Sequence, residues 1–202
     1  MTHRGPRLSP LPPGQWSTEM QEAIAALRPP DARHPPPPRR EGGPKGLNVL
    51  GTLARHPSLT RAFFTFNAHV LSASTLSARH RELLVLRVAT LRRSSYEWAQ
   101  HVLLAADAGL TNEEVARVAQ GPDAPGWSTL ERALLAAVDE LVRDAEVAEA
   151  TWSVLARELD ERQLMDLVFT VGAYEVVAMA FRSFGIELDE DLENALLARG
   201  DR

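Results

Sequence analysis

The stretch Ser94-Ser95-Tyr96-Glu97-Trp98-Ala99-Gln100-His101, with Arg81-Glu82-Leu83 upstream of it, decides how this chain is read. Glu97 and His101 stand four residues apart in an otherwise apolar helical pattern, so they share one helical face. An acid and an imidazole set into an apolar helix are costly unless they are paired or used. The spacing therefore predicts that the two share a proton, orient each other and face a common pocket.

Working outward, every segment from Leu47 onward reads as helix, and no alternating strand pattern occurs. Leu47 to Arg55 forms a short helix closed by Pro57, and Ser58 caps a helix through Phe63, Phe66 and Val70. Ser77 caps a helix from Ala78 to Arg92. Ser94 or Ser95 caps the helix that carries the motif, and Gly109 ends it. Thr111 with Glu114, and Ser128 with Glu131, are capping boxes. Asp160 with Gln163 opens a long helix ending near Phe184 and Gly185, ahead of a C-terminal helix over residues 189–199. The expected fold class is all-α, a compact multi-helix bundle with short loops. Residues 83–91 and 164–181 are apolar around much of their circumference, which places both helices centrally.

Residues 1–46 form a different segment, a Pro-rich N-terminal arm, partly extended, ahead of an all-helical domain over 47–202. Pro29, Pro30, Pro35 to Pro38 and Pro44 fall close together with Gly42, Gly43 and Gly46. Proline fixes φ and lacks an N–H, so this stretch favours extended backbone. Within the arm, Ser17 to Leu27 supports one short helix with Ser17 as its N-cap.

Composition narrows the function. With 202 residues, 45% of them hydrophobic, the chain is long enough for one domain with a real core. A net charge of −5 with scattered basic residues gives no reason to expect nucleic acid. Apolar runs are interrupted at short intervals, so no membrane partner is expected, and the polar, Pro-rich start is no secretory signal. There are no cysteines, which removes disulfides and thiolate chemistry and fits a cytoplasmic protein.

The candidate catalytic residues are Glu97, His101 and Glu82. If Glu82 reaches His101, its carboxylate holds the imidazole tautomer and raises its basicity, and a partly desolvated Glu97 exchanges the proton. The competing structural reading is a satisfied polar cluster, with Glu82 in an ion pair to Arg79, Arg81 or Arg87. Tyr96 and Trp98 read as pocket walls that contact substrate. Ser94 reads as a helix cap first and a substrate-binding residue second. Glu175, in the middle of the apolar 164–181 segment, needs a partner or a shifted pKa, and is either a structural pair or a further substrate-binding group. One Glu and one His at this spacing supply two ligands only, so no metal is expected. No Gly-rich phosphate loop and no Gly-x-Ser-x-Gly elbow are present.

At these residues the chain resembles the carboxymuconolactone decarboxylase family, which also contains thiol-dependent alkyl hydroperoxidases. The resemblance covers roughly residues 47–190. It rests on Leu47-Asn48-Val49-Leu50 with His56-Pro57, on Leu76 through Arg79-His80-Arg81-Glu82-Leu83, on Tyr96-Glu97-Trp98 to His101, on Val171-Gly172-Ala173-Tyr174 and on Phe184-Gly185. The peroxidase branch spaces a Glu, two Cys and a His so that they fall here on Glu82, Ser94, Glu97 and His101. Both cysteines are thus replaced, and thiol peroxidase chemistry is excluded. The decarboxylase branch implies proton transfer on a small unsaturated acid or lactone, without cofactor, by Glu97 and His101. Such a substrate needs an anion-binding group, for which Arg81, Arg87 or an Arg of another subunit are candidates. The family also implies an alkyl hydroperoxidase-like scaffold assembled as a homo-oligomer, trimer or hexamer. The expected function is a decarboxylase or isomerase acting on a small-molecule substrate. The alternatives are a non-catalytic oligomeric protein binding a small apolar acid, and a redox helper using a bound metal or flavin.

Overall fold

The computed structural model describes residues 5–34 and 43–199, and among these the chain is helical with no strand. Its helices are α1 (Thr18–Ala25), α2 (Leu47–Leu53), α3 (Pro57–Ala68), α4 (Ala78–Arg92), α5 (Ser95–Asp107), α6 (Asn112–Gln120), α7 (Thr129–Asp144), α8 (Glu149–Glu158), α9 (Glu161–Phe184) and α10 (Glu190–Arg199). One π-helical turn, His69–Ala73, follows α3. The residues group into two compact units. One joins the chain up to Ala73 with the segment from Ala180 onward, and the other is Ser74–Met179.

Side-chain chemistry sets most of the helix starts. Ser17 accepts from the Met20 N–H, Ser77 from His80, Thr111 from Glu114 and Ser128 from Glu131. The last two complete reciprocal capping boxes, and Asp160 with Gln163 makes the same exchange. Two expected caps are corrected. The α3 cap is His56, whose Nδ1 accepts from the Leu59 N–H, because Pro57 takes the first helical position and moves the start two residues earlier. Ser94 sits at the α5 N-cap, yet its hydroxyl makes no cap hydrogen bond.

In the first unit the N-terminal segment is stitched to helices rather than free-standing. Met20 and Ala23 of α1 are fully buried with Ala54 and Phe64, and Leu11, Trp16, Leu50 and Phe63 pack around them. The Leu11 N–H donates to the Gly51 carbonyl at 2.9 Å. A Cβ on Gly51 would meet the Leu11 carbonyl oxygen at 2.5 Å, so only glycine permits this approach. Pro35 to Pro38 lie outside the described residues.

The second unit is built around α4, which packs on α5, α6 and α7. Every residue from Arg81 to Ala89 is buried, as its all-round apolar pattern requires. The other all-round apolar helix departs from expectation. Along α9, Leu164, Leu167, Val171, Tyr174 and Val177 are buried, while Met165, Val168, Val176 and Met179 are 61%, 37%, 49% and 56% exposed. Its length and apolarity would suit a membrane crossing, but half of that apolar stretch is buried in the protein. Two acids on this helix have fixed partners: Asp166 accepts from the Thr75 N–H and hydroxyl, and Glu175 pairs with Arg92.

Arg87 ties the unit together. It makes a bidentate pair with Asp139 of α7 at 2.6 and 2.8 Å and donates to the Val118 and Ala119 carbonyls at the end of α6. Gly121 lies directly under its guanidinium, where a Cβ would stand 2.8 Å from Nη2 at a backbone φ of +102°. Arg87→Ala strands Asp139 and two helix-end carbonyls, and we expect a loss of about 3–5 kcal/mol in urea-monitored unfolding, whereas Arg143→Ala, which removes an exposed ion pair to Asp144, should leave the unfolding midpoint essentially unchanged.

Candidate active site

Glu82, Glu97 and His101 all lie in the α4–α5 hairpin. A Schellman-type turn joins the two helices, with the Ser94 N–H on the Ala89 carbonyl and the Arg93 N–H on the Thr90 carbonyl. The helices return antiparallel, and His101 lies about one turn nearer the corner than Glu82. Two long side chains bridge that offset. The sequence alone leaves it open whether they meet, and they do: His101 Nδ1 is 2.6 Å from Glu82 Oε2. Arg81 Nε donates to the other oxygen, Oε1, at 3.0 Å.

Glu82 has no solvent exposure. Burial pushes its pKa upward, but the His101 and Arg81 partners outweigh it, and the group is held below the usual carboxylate range. An ionised Glu82 is acceptor-only, so the His101 Nδ1 carries the proton of this hydrogen bond. The Tyr174 ring meets the imidazole edge-on, with centroids 4.8 Å apart. Burial, with the Glu82 charge added, raises the Tyr174 phenol well above its ordinary range, so it stays protonated. Sequence reasoning did not single out Tyr174. Its signal was its place beside Glu175 on an apolar helix.

Glu97 has the opposite environment. It is 1% exposed, and neither carboxylate oxygen completes a hydrogen bond among the described residues. Burial pushes its pKa up to about 8, the Ser94 hydroxyl beside it offsets part of the shift, and the Glu175 charge adds to it. The expected direct sharing of a proton between Glu97 and His101 is therefore corrected: the imidazole is paired with Glu82, and Glu97 stands without a hydrogen bond to it. Ser94 is 2% exposed, and its hydroxyl is also unpaired.

The remaining candidates separate. Glu175 is engaged by Arg92 in a two-pronged pair, Nε and Nη2 each at 2.7 Å, and Arg92 also reaches the Val142 carbonyl. This is the structural alternative for Glu175. Tyr96 is buried, 3.4 Å from Gln100 Nε2. Trp98 and Ser94 line a groove of about 350 Å³ with Ala89, Thr90, Arg93, Ser95 and Ala119. Glu97 and His101 do not line it. Among the described residues no cluster of three His, Asp or Glu side chains is arranged to hold a metal ion.

Residues 57–140 match the model of the carboxymuconolactone decarboxylase family. The described residues adopt an all-helical, alkyl hydroperoxidase-like fold. No curated protein sequence matches it. Among solved structures it is similar to an uncharacterized peroxidase-related protein with an alkylhydroperoxidase AhpD core from Ralstonia eutropha JMP134. The two are 20% identical, with 81% of this chain and 95% of that one covered and a TM-score of 0.64. An uncharacterized peroxidase-related protein from Silicibacter sp. TM1040 is 17% identical over 71% of this chain and 77% of its own, with a TM-score of 0.65. The debrominase Bmp8, solved with 2,3,4-tribromopyrrole, is 12% identical over 95% of this chain and 96% of its own, with a TM-score of 0.72. These likenesses establish the fold. The chain has no cysteine, which leaves no thiol to turn over a peroxide.

The Glu97 environment has a pH signature. Between about pH 4.5 and 8 the unfolded chain releases this proton and the folded chain retains it, so Glu97 lowers stability progressively as pH rises across that window. Below the window both states are protonated and the penalty vanishes. Glu97→Gln should remove this slope. In urea unfolding its advantage over the parent should grow by on the order of a few kcal/mol from pH 4.5 to 8, and a constant difference would contradict the assigned environment.

Proposed function

We propose that the chain is a cofactor-independent acid/base enzyme, a decarboxylase or isomerase acting on a small unsaturated acid or lactone. One observation carries this reading: a single helical hairpin holds one carboxyl group ionised and a second protonated. Glu82 is neutralised by His101 and Arg81, while Glu97 has its pKa pushed up to about 8 and so keeps its proton at neutral pH. Pairs of titratable groups driven apart in this way divide acid and base roles between them.

In a decarboxylation the bond to the carboxylate carbon breaks, carbon dioxide leaves and the electron pair stays on the substrate carbon. Glu97 supplies the proton that quenches that carbon and is reprotonated by solvent. In an isomerisation His101 Nε2 accepts a proton at one carbon and Glu97 delivers one at another. Glu82 fixes the tautomer throughout, and the Tyr174 ring holds the imidazole in place. Both routes need only protons moved by side chains present in the hairpin.

A second reading, binding without turnover, is supported by the groove, which is bounded by Ser94 and Trp98 rather than by Glu97 or His101. Lactone and enol acids incubated with the protein separate the two. Carbon dioxide release or solvent-proton exchange supports the enzyme, and binding with neither supports the alternative. For the enzyme, His101→Ala and Glu97→Gln should each lower kcat by roughly a hundred- to ten-thousand-fold while circular dichroism stays unchanged. Parent activity should fall as pH rises through about 8, where Glu97 loses its proton. Full activity in either variant refutes the assignment.

We also propose assembly into a trimer or hexamer, as the family implies, through the exposed apolar side of α9. Met165, Val168, Val176 and Met179 recur there at helical spacing, and Gly172 opens a flat place among them. Sedimentation should give an oligomeric mass for the parent and a smaller one for the double variant Met165→Glu and Val176→Glu. A parent that sediments at 22.2 kDa excludes the assembly.

A further inference from the structure

The acid/base reading requires a group that holds the substrate's carboxylate, and both arginines suggested by the sequence are occupied elsewhere. Arg81 is bound to Glu82, and Arg87 to Asp139 and two carbonyls. The groove at the α4–α5 corner offers a different one. Arg93 lines it with an exposed side chain that makes no ion pair or hydrogen bond among the described residues. Its wall includes the half-buried indole of Trp98, and its volume of about 350 Å³ suits a small molecule.

Arg93 also occupies a backbone position that disfavours it. Its φ is +53°, the left-handed conformation that closes a helix, which glycine adopts at least cost. The ends of α5 and α9 close by the same pattern on glycine, Gly109 at φ +83° and Gly185 at φ +69°, while α7 closes on Ala145 at φ +60°. At α4 the closing position places a guanidinium at the mouth of the groove. Two unsatisfied polar groups lie behind it. Ser94 lines the groove with its hydroxyl buried and unpaired just beneath the surface, and Glu97, beside Ser94, is almost fully buried with both oxygens unpaired.

We propose that this groove is the substrate subsite: Arg93 anchors the carboxylate of a small planar acid lying against Trp98, and Ser94 relays the proton between the ligand and Glu97. In the relay the Ser94 hydroxyl gives its proton to the carbanionic carbon as the Glu97 carboxyl gives its own to Oγ. Ser94 ends neutral and Glu97 ends ionised. This accounts for a proton donor that does not itself touch the groove.

The test uses benzoate as probe and benzamide as its uncharged counterpart, titrated calorimetrically into the full chain. The parent should bind benzoate about tenfold or more tightly than benzamide. Arg93→Gln should abolish that preference, Arg93→Lys should restore part of it, and Trp98→Ala should weaken both probes. Ser94→Ala should leave benzoate affinity unchanged and lower turnover of whichever acid or lactone the parent converts. A parent without preference for the anion, or an Arg93→Gln variant that keeps it, overturns the anchor. Full turnover by Ser94→Ala overturns the relay. Either failure leaves the acid/base reading standing provided Glu97→Gln is inactive, whereas an active Glu97→Gln with an intact Arg93 effect defeats the acid/base reading and leaves the subsite.

Discussion

A carboxylate with no access to water stays charged only if the protein replaces its hydration. Glu82 is that group, and Arg81 and His101 are the replacement, one donor to each oxygen. The arrangement constrains much around it. It fixes the register of α5 against α4, because His101 must come within 2.6 Å of a residue a turn farther from the corner. It sets which imidazole nitrogen carries the proton, and its charge adds to the burial that raises the phenol pKa of Tyr174, whose ring meets the imidazole edge-on. Removing any one member would leave a buried charge or donor uncompensated, so the triad is held together by the cost of breaking it.

Glu97 follows a different logic. An acid with neither oxygen paired is a net cost at neutral pH, and an apolar residue of similar volume would pack there without it. Sites that hold a group in the less comfortable ionisation state give up stability for chemistry. Position 97 presents an oxygen acid, with no thiol anywhere in the chain. A carboxyl group exchanges protons where a thiol would exchange electrons.

Much of this was legible in the sequence, for identifiable reasons. Caps and glycine stops depend on side chains within a few residues of the backbone they bind, so Ser17, Ser77, Thr111, Ser128 and Gly109 mark boundaries that the structure keeps. The importance of Glu97 and His101 was visible from polarity inside an apolar period. Whom they pair with was not, because spacing along one helix says nothing of a residue nineteen positions upstream on another. The resting place of Glu175 on Arg92 is likewise a tertiary fact. The α9 expectation failed for a related reason: an all-round apolar pattern reports that both faces avoid water, not that one chain supplies both coverings. Arg93 escaped notice because only backbone geometry, a positive φ in a helix-closing turn, distinguishes it from its neighbours.

The contact of Leu11 with Gly51 carries a consequence for how the chain is cut. Backbone meets backbone there without space for a single methyl group, and the segment from Arg7 to Trp16 is further held by the Arg7 and Leu8 N–H groups on the Phe184 carbonyl and by Arg55 on the Ser9 carbonyl. While that seam is closed, the N–H groups of Arg7, Leu8 and Leu11 and the Ser9 carbonyl are committed to neighbours, which pins this proline-containing stretch to the helices it crosses. An alanine at position 51 would unzip the seam at its tightest point, so the first scissions in limited digestion would fall between residues 7 and 16, leaving the Ser74–Met179 unit whole.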